Sequence, residues 1–194
     1  MAIAFVLGNG VSRNGIDLNK MRTIGPIYGC NGIYRDFVPD VLVATDRPIS
    51  SHIQQSGYSK EHKFYTRKPI SGLGGLSVLQ KYYGFSSGPN AVGLAANDDF
   101  NTVYLVGFDM GPATNQKFNN VYADSEFYKS SSAAPTYTGN WIRQIKTICQ
   151  DYPKTQFVRV MGPTTQDILE LLANPNMSTI SLSDFIAFIN IQKD

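Results

Sequence analysis

The chain has 194 residues, with a formal charge of +2 and 42% apolar content. That length suits one compact domain. The charge is too small, and Thr66–Lys68 too short a basic run, to predict nucleic-acid binding. No apolar run approaches a membrane span, and no charged leader precedes a long apolar stretch. Cys30 and Cys149 lie far apart and no C-x-x-C occurs, which predicts free thiols in a cytoplasmic protein and no structural zinc.

In chain order, short β-branched and aromatic runs predict strands at residues 2–7, 26–30, 40–45, 63–66, 102–108 and 156–161. They are nearly continuously apolar, as strands buried on both faces should be. Helical patterns lie between them. Residues 47–58 follow the third strand. Residues 87–98 open with Ser87 as a predicted cap and Pro89 in the first turn. Residues 138–152 place Trp141, Ile142, Ile145 and Ile148 at helical spacing. Residues 164–175 begin at a threonine cap and end at Asn174–Pro175. This alternation predicts an α/β fold, a single Rossmann-like three-layer domain over 1–194 with a mostly parallel sheet. Residues 67–87 are rich in Gly, Ser and Tyr. Residues 110–137 are long, polar and aromatic, which predicts a flexible lid.

The first strand leaves through Gly8-Asn9-Gly10. Glycine lets a backbone approach a phosphate, but Arg13 breaks the dinucleotide pattern G-x-G-x-x-G, so a tight turn without ligand is an equal reading. Three further strands end in one polar residue each, at Asn31, Asp46 and Asp109. Carboxyl ends of parallel strands face the ligand crevice. Asn and Asp suit ribose hydroxyls and base edges, and Asp suits a metal ion. Four such residues together predict a small-molecule site. Ser86-Ser87-Gly88 opens a helix, where hydroxyls and main-chain N–H groups can hold an anion. His52 and His62, the only histidines, are expected at the surface, Cys30 in the core, and Trp141 between its helix and the sheet.

With these residues assembled, Leu7–Met21 and Ile27–Phe37 resemble the N-terminal half-motif of the bacterial CMP-sialic-acid-dependent sialyltransferases. That motif is a G-N-G-P-S turn, an I-D, and a strand ending in C-N. Ser86–Gly111 resembles the same family's second block, a T-S-G helix start followed by a strand ending in G-I-D. The resemblance implies a Rossmann-like nucleotide-sugar fold that needs no cofactor. It implies contacts to a cytidine nucleotide from Gly8, Asn9, Gly10, Asn31, Ser86, Ser87, Gly88 and Asp109. It also implies a lid whose tyrosines, among Tyr122, Tyr128 and Tyr137, close over the phosphate. Two positions depart from the pattern. Val11 replaces the proline, and Asn140 stands where the family carries its general-base histidine. An amide does not take up a proton near neutral pH, and general-base help is worth roughly 10²–10⁴-fold. His52, which follows the Asp46 strand end, is the alternative base.

The G-x-G-x-S…D start also resembles the 6-hydroxymethylpterin diphosphokinase group, for which Asp46 and Asp109 would hold Mg²⁺. Three functions are therefore expected as alternatives: a sialyltransferase-like glycosyltransferase, a Mg²⁺-dependent phosphotransferase, or a nucleotide-binding or structural module without chemistry. The expected partner is a nucleotide or nucleotide-sugar, and the chain is compatible with an oligomer.

Overall fold

The computed structural model describes residues 2–191. Eight parallel strands form one sheet: β1 (Ile3–Leu7), β2 (Ile27–Cys30), β3 (Val41–Val43), β4 (Phe64–Thr66), β5 (Leu76–Ser77), β6 (Thr102–Val106), β7 (Gln156–Met161) and β8 (Met177–Ser181). Their order is β5-β4-β3-β2-β1-β6-β7-β8. The helices are α1 (Leu18–Ile24), α2 (Arg47–Gln55), α3 (Tyr58–Glu61), α4 (Ser87–Asn97), α5 (Gly139–Asp151), α6 (Leu169–Leu172) and α7 (Leu182–Ile191).

Alternate strand residues point to opposite faces, so each buried strand feeds two cores. Ala4, Val6, Val41, Val43, Val103, Leu105 and Phe157 pack with α4 and with Ile145, Ile148 and Cys149 of α5. Phe5, Leu7, Ile27, Leu42, Phe64, Val106 and Val160 pack with Met21 of α1, Ile49 and Ile53 of α2, and Phe185 and Ile189 of α7. The result is the expected Rossmann-like three-layer α/β domain.

The connectivity places the site. From β1 the chain winds outward through β2, β3 and β4 to β5, then returns to lay β6 against the other side of β1. The strand order therefore reverses between β1 and β6, and ligands of such sheets bind at the carboxyl ends of that pair. Among the described residues, no helix is long and apolar enough to cross a membrane.

Several local expectations need correction. The segment 164–175 is not one helix, because Thr164 and Thr165 turn their hydroxyls to Asp109 and only Leu169–Leu172 is helical. Ser87 is the first residue of α4 rather than its cap, which is Ser86. Residues 110–137 carry no helix or strand, and hydrogen bonds join them to the sheet's end. Val121 N donates to Asn9 O at 2.8 Å, Val11 N to Asn119 Oδ1 at 2.8 Å, and Gly32 N to the Tyr128 hydroxyl at 2.8 Å. The Arg35 guanidinium holds Ser125 Oγ and Glu126 O, both at 3.0 Å.

Candidate functional site

A cleft enclosing about 170 Å³ opens at the β1/β6 reversal. Gly8, Asn9, Gly10, Asn31, Asp46, Ser86, Ser87, Gly88 and Asp109 all line it, together with Cys30, Trp141 and the segments 107–111 and 119–120. Residues expected from five separate stretches of sequence thus meet at one place.

The glycine turn has internal reasons to be glycine. A Cβ on Gly8 would lie 2.5 Å from Gly107 O, and one on Gly107 would lie 2.8 Å from Gly8 O. A Cβ on Gly10 would fall onto the carboxylate of Asp109. The turns leaving β1 and β6 are therefore pressed together, joined by Gly8 N to Val106 O at 2.8 Å and Gly10 N to Gly107 O at 2.9 Å. The close approach comes from the neighbouring strand of the same protein.

Asp109 is 4% exposed and saturated with donors. Ser12 gives its N–H at 3.1 Å and a short hydroxyl contact, Asn119 its Nδ2 at 3.0 Å, Thr164 its hydroxyl at 2.6 Å and Thr165 its hydroxyl at 3.3 Å. Behind it lies Arg159, 1% exposed, which donates to Phe108 O at 2.9 Å and Gln166 O at 3.1 Å. Burial pulls the guanidinium pKa down while the charge of Asp109 pushes it back up. Asp109 is thus a brace with no oxygen left for a metal. Among the described residues, no three His, Cys, Asp or Glu side chains gather as ligands. Asp46 and Asp109 share the cleft, but this donor set does not fit Mg²⁺.

The opposite wall is different. The Ser87 hydroxyl accepts from Thr45 N at 2.9 Å and lies 3.0 Å from Thr45 Oγ1, and it donates to Asn31 Oδ1 at 2.9 Å. Its single proton goes to Asn31, so Thr45 must donate to it. This chain locks the ends of β2 and β3 to the start of α4. Asn31 adopts φ 53°, a left-handed conformation that Asn tolerates. Asn9 is 8% exposed, and its Nδ2 donates to Cys30 O at 3.1 Å. A carbonyl can only accept, which fixes the amide's orientation. Asn9 Oδ1 is then buried with no partner. At α4, Pro89 has no N–H, and the N–H groups of Ser87 and Gly88 have no acceptor among the described residues.

Asp46 stands at the cap position of α2 but makes no cap bond, and Pro48 removes one of the N–H groups it could have used. Its carboxylate is exposed and without an ion-pair partner among the described residues. Cys30 forms part of the cleft floor. Its thiol donates to Leu7 O at 3.3 Å, and burial pushes its pKa up to about 12, so it is inert.

Other expected residues lie elsewhere. The Tyr128 hydroxyl takes the Gly32 N–H, and that of Tyr122 accepts from Arg13 at 3.0 Å, with burial raising its pKa to about 12. Both rings pack beneath the loops around the cleft and neither lines it. Tyr137 is 70% exposed. His52 is exposed on α2 with its ring 5.3 Å from that of Phe127, outside the cleft. Asn140 lines a separate open hollow with Arg143 and Gln144 and accepts from Arg143. Neither His52 nor Asn140 lines the cleft. Trp141, expected only to pack, reaches the cleft and donates from Nε1 to Ser86 Oγ at 3.2 Å. Asn119 and Asn120 also line it, and nothing in the polar 110–137 stretch distinguishes them beforehand. No family model matches the chain, and no curated protein or solved structure matches it either.

Proposed function

We propose that the protein binds a nucleotide or nucleotide-sugar in this cleft, in the manner of a sialyltransferase-like glycosyltransferase. One observation carries the reading. Asn9, which lines the cleft, holds a buried acceptor oxygen without a partner, beside a helix start with two unused N–H donors. A buried acceptor without a partner costs about 1–3 kcal/mol, and a ligand N–H or O–H would recover it. A phosphate suits the start of α4, where the helix dipole and free N–H groups favour negative charge. The enclosed volume is below the ~300–1,000 Å³ of complete ligand pockets. It fits the phosphate-bearing part of the ligand, with the remainder extending past Trp141 and the 119–120 segment.

Titration calorimetry with CMP, UDP, GDP and ATP tests this. Binding of at least one, weakened tenfold or more by Asn9→Ala in a folded variant, is the expected result. No binding by any of them removes the reading. A second reading, a binding module without transfer chemistry, is favoured by the absence of both histidines from the cleft lining. Hydrolysis of bound nucleotide-sugar, measured alongside, separates the two.

A further inference from the structure

Two helix starts face the cleft, and they differ in charge. At α4 the Ser87 and Gly88 N–H groups are open and no acidic residue occupies the first turn. At α2 the Asp46 carboxylate stands over the helix start without bonding to it. The two are neighbours, because Thr45, the residue before Asp46, is bonded twice to Ser87. No Lys or Arg lines the cleft. The other lining carboxylate, Asp109, has both oxygens filled and Arg159 behind it. Arg13, behind the glycine turn, keeps its charge, since its partner is the neutral Tyr122, but it does not line the cleft. Asp46 is therefore the one charged side chain lining the cleft that has no partner among the described residues.

We propose that Asp46 sets the class of ligand: a nucleotide joined to a neutral or amine-bearing sugar, whose hydroxyl or ammonium groups the carboxylate accepts, with acidic sugars rejected. This rests on the nucleotide-sugar reading above and narrows it. With the phosphate at the α4 start, the attached sugar lies in the same cleft that Asp46 lines, one residue from Thr45, which is bonded to Ser87. A hydroxylated or amino sugar gives that carboxylate charge-assisted hydrogen bonds. A sugar carboxylate beside Asp46 meets a like charge with no cation in the lining to offset it, and like-charge juxtaposition is a common device for excluding wrong partners. The specificity would then run against the acidic sugar that the sequence resemblance implies.

The matched pair UDP-glucose and UDP-glucuronate, with CMP and CMP-sialic acid as a second pair, reads this by calorimetry on the full chain. Wild-type protein should bind the neutral member of the UDP pair roughly tenfold or more tightly, about 1.4 kcal/mol. Asp46→Asn keeps the shape and removes the charge, and should bring the two UDP-sugars within about twofold. It should also tighten CMP-sialic acid relative to CMP. Its melting temperature should match wild type, since the side chain has no partner to lose. Equal binding of both UDP-sugars by wild type, or a preference unchanged in Asp46→Asn, overturns the proposal alone. Failure of every nucleotide and nucleotide-sugar to bind either protein overturns the nucleotide reading and this inference with it.

Discussion

The two walls of the cleft are built from similar residues and do opposite things. On the β1/β6 wall, Gly8, Gly10, Gly107 and Asp109 press against each other, and each polar group of the Asp109 cluster finds a partner within the chain. On the wall formed by Asn9, Asn31, Asp46 and the start of α4, a buried amide oxygen, two N–H groups and a carboxylate are left without partners. A glycine-rich turn after a strand is therefore ambiguous. It signals close approach, and here the approaching group is a neighbouring loop. The open donors and acceptors, not the glycines, carry the argument for a ligand.

Breaking the closed wall should have the largest effect. Asp109→Ala would leave the buried Ser12 and Thr164 donors without their acceptor, at about 1–3 kcal/mol for each buried group, while Asn119 keeps Gly111 O and Pro112 O. Gly10→Ala would drive a methyl group into the same carboxylate. Each should lower the urea midpoint by several kcal/mol in equivalent stability, beyond the usual range for point mutants. A near-normal midpoint for both would mean the wall is not a structural brace.

The open wall should show the reverse pattern. Asn9→Ala loses the hydrogen bond to Cys30 O and a longer one to the Tyr128 hydroxyl, and also removes a buried unsatisfied oxygen, so stability should change by about 1 kcal/mol or less. Nucleotide affinity should fall tenfold or more. Equal affinity in wild type and variant would place the ligand elsewhere.

A smaller and broader effect should come with alkaline pH. Burial raises the Cys30 thiol from an ordinary value of 9.0 to about 12, and the Tyr122 hydroxyl from 10.0 to about 12. The folded state favours the neutral forms. Their contribution is complete below pH 9 for Cys30 and below pH 10 for Tyr122, and is lost as pH rises toward 12. Stability against urea should hold constant up to about pH 9 and then fall, and Cys30→Ser should flatten the onset. Stability that rises above pH 9 would contradict the burial of these groups.

The smallest effect is expected at His52 and Asn140. Both are exposed and outside the cleft, so His52→Ala and Asn140→Ala should change stability by about 0.5 kcal/mol or less and leave nucleotide affinity unaltered. Loss of nucleotide-sugar turnover in His52→Ala would restore that residue as a base and blur the contrast between the walls.

The central sheet was legible because its strands are buried on both faces and read as apolar runs. The missed strands, β5 and β8, are the two sheet edges. Leu76 and Ser77 are exposed, and β8 buries only Met177 fully. An edge strand without a continuous apolar run carries little periodic signal. Helices α1 and α7 were missed despite cap signals. Asp17 accepts from Asn19 N and Lys20 N, and the Ser181 hydroxyl accepts from Asp184 N while donating to the Asp184 carboxylate, which supplies the side-chain half of a capping box. At the site, strand-end polar residues were legible because topology places them together. Their division into braced and open groups was not, because it depends on Ser12, Asn119 and Thr164, which come from distant parts of the chain.

The pairing at the reversal also sets an order of events during synthesis. β1 is made early relative to its partner on one side, β6, which follows roughly 100 residues later, with Ile3 against Thr102 and Leu7 against Val106. At ~5–20 residues per second the ribosome takes roughly 5–20 s to supply it. Throughout that interval the apolar Ile3–Leu7 segment presents a bare edge, the kind of surface on which nascent chains stick to one another. The cleft cannot exist until β6 and Asp109 have arrived, so a chain stopped before residue 102 has half a sheet and no site. A ligand that bridges α4 and the β1 turn would reward only the completed pairing, and ligand present during refolding should raise the yield of native protein by drawing off chains that have closed that edge.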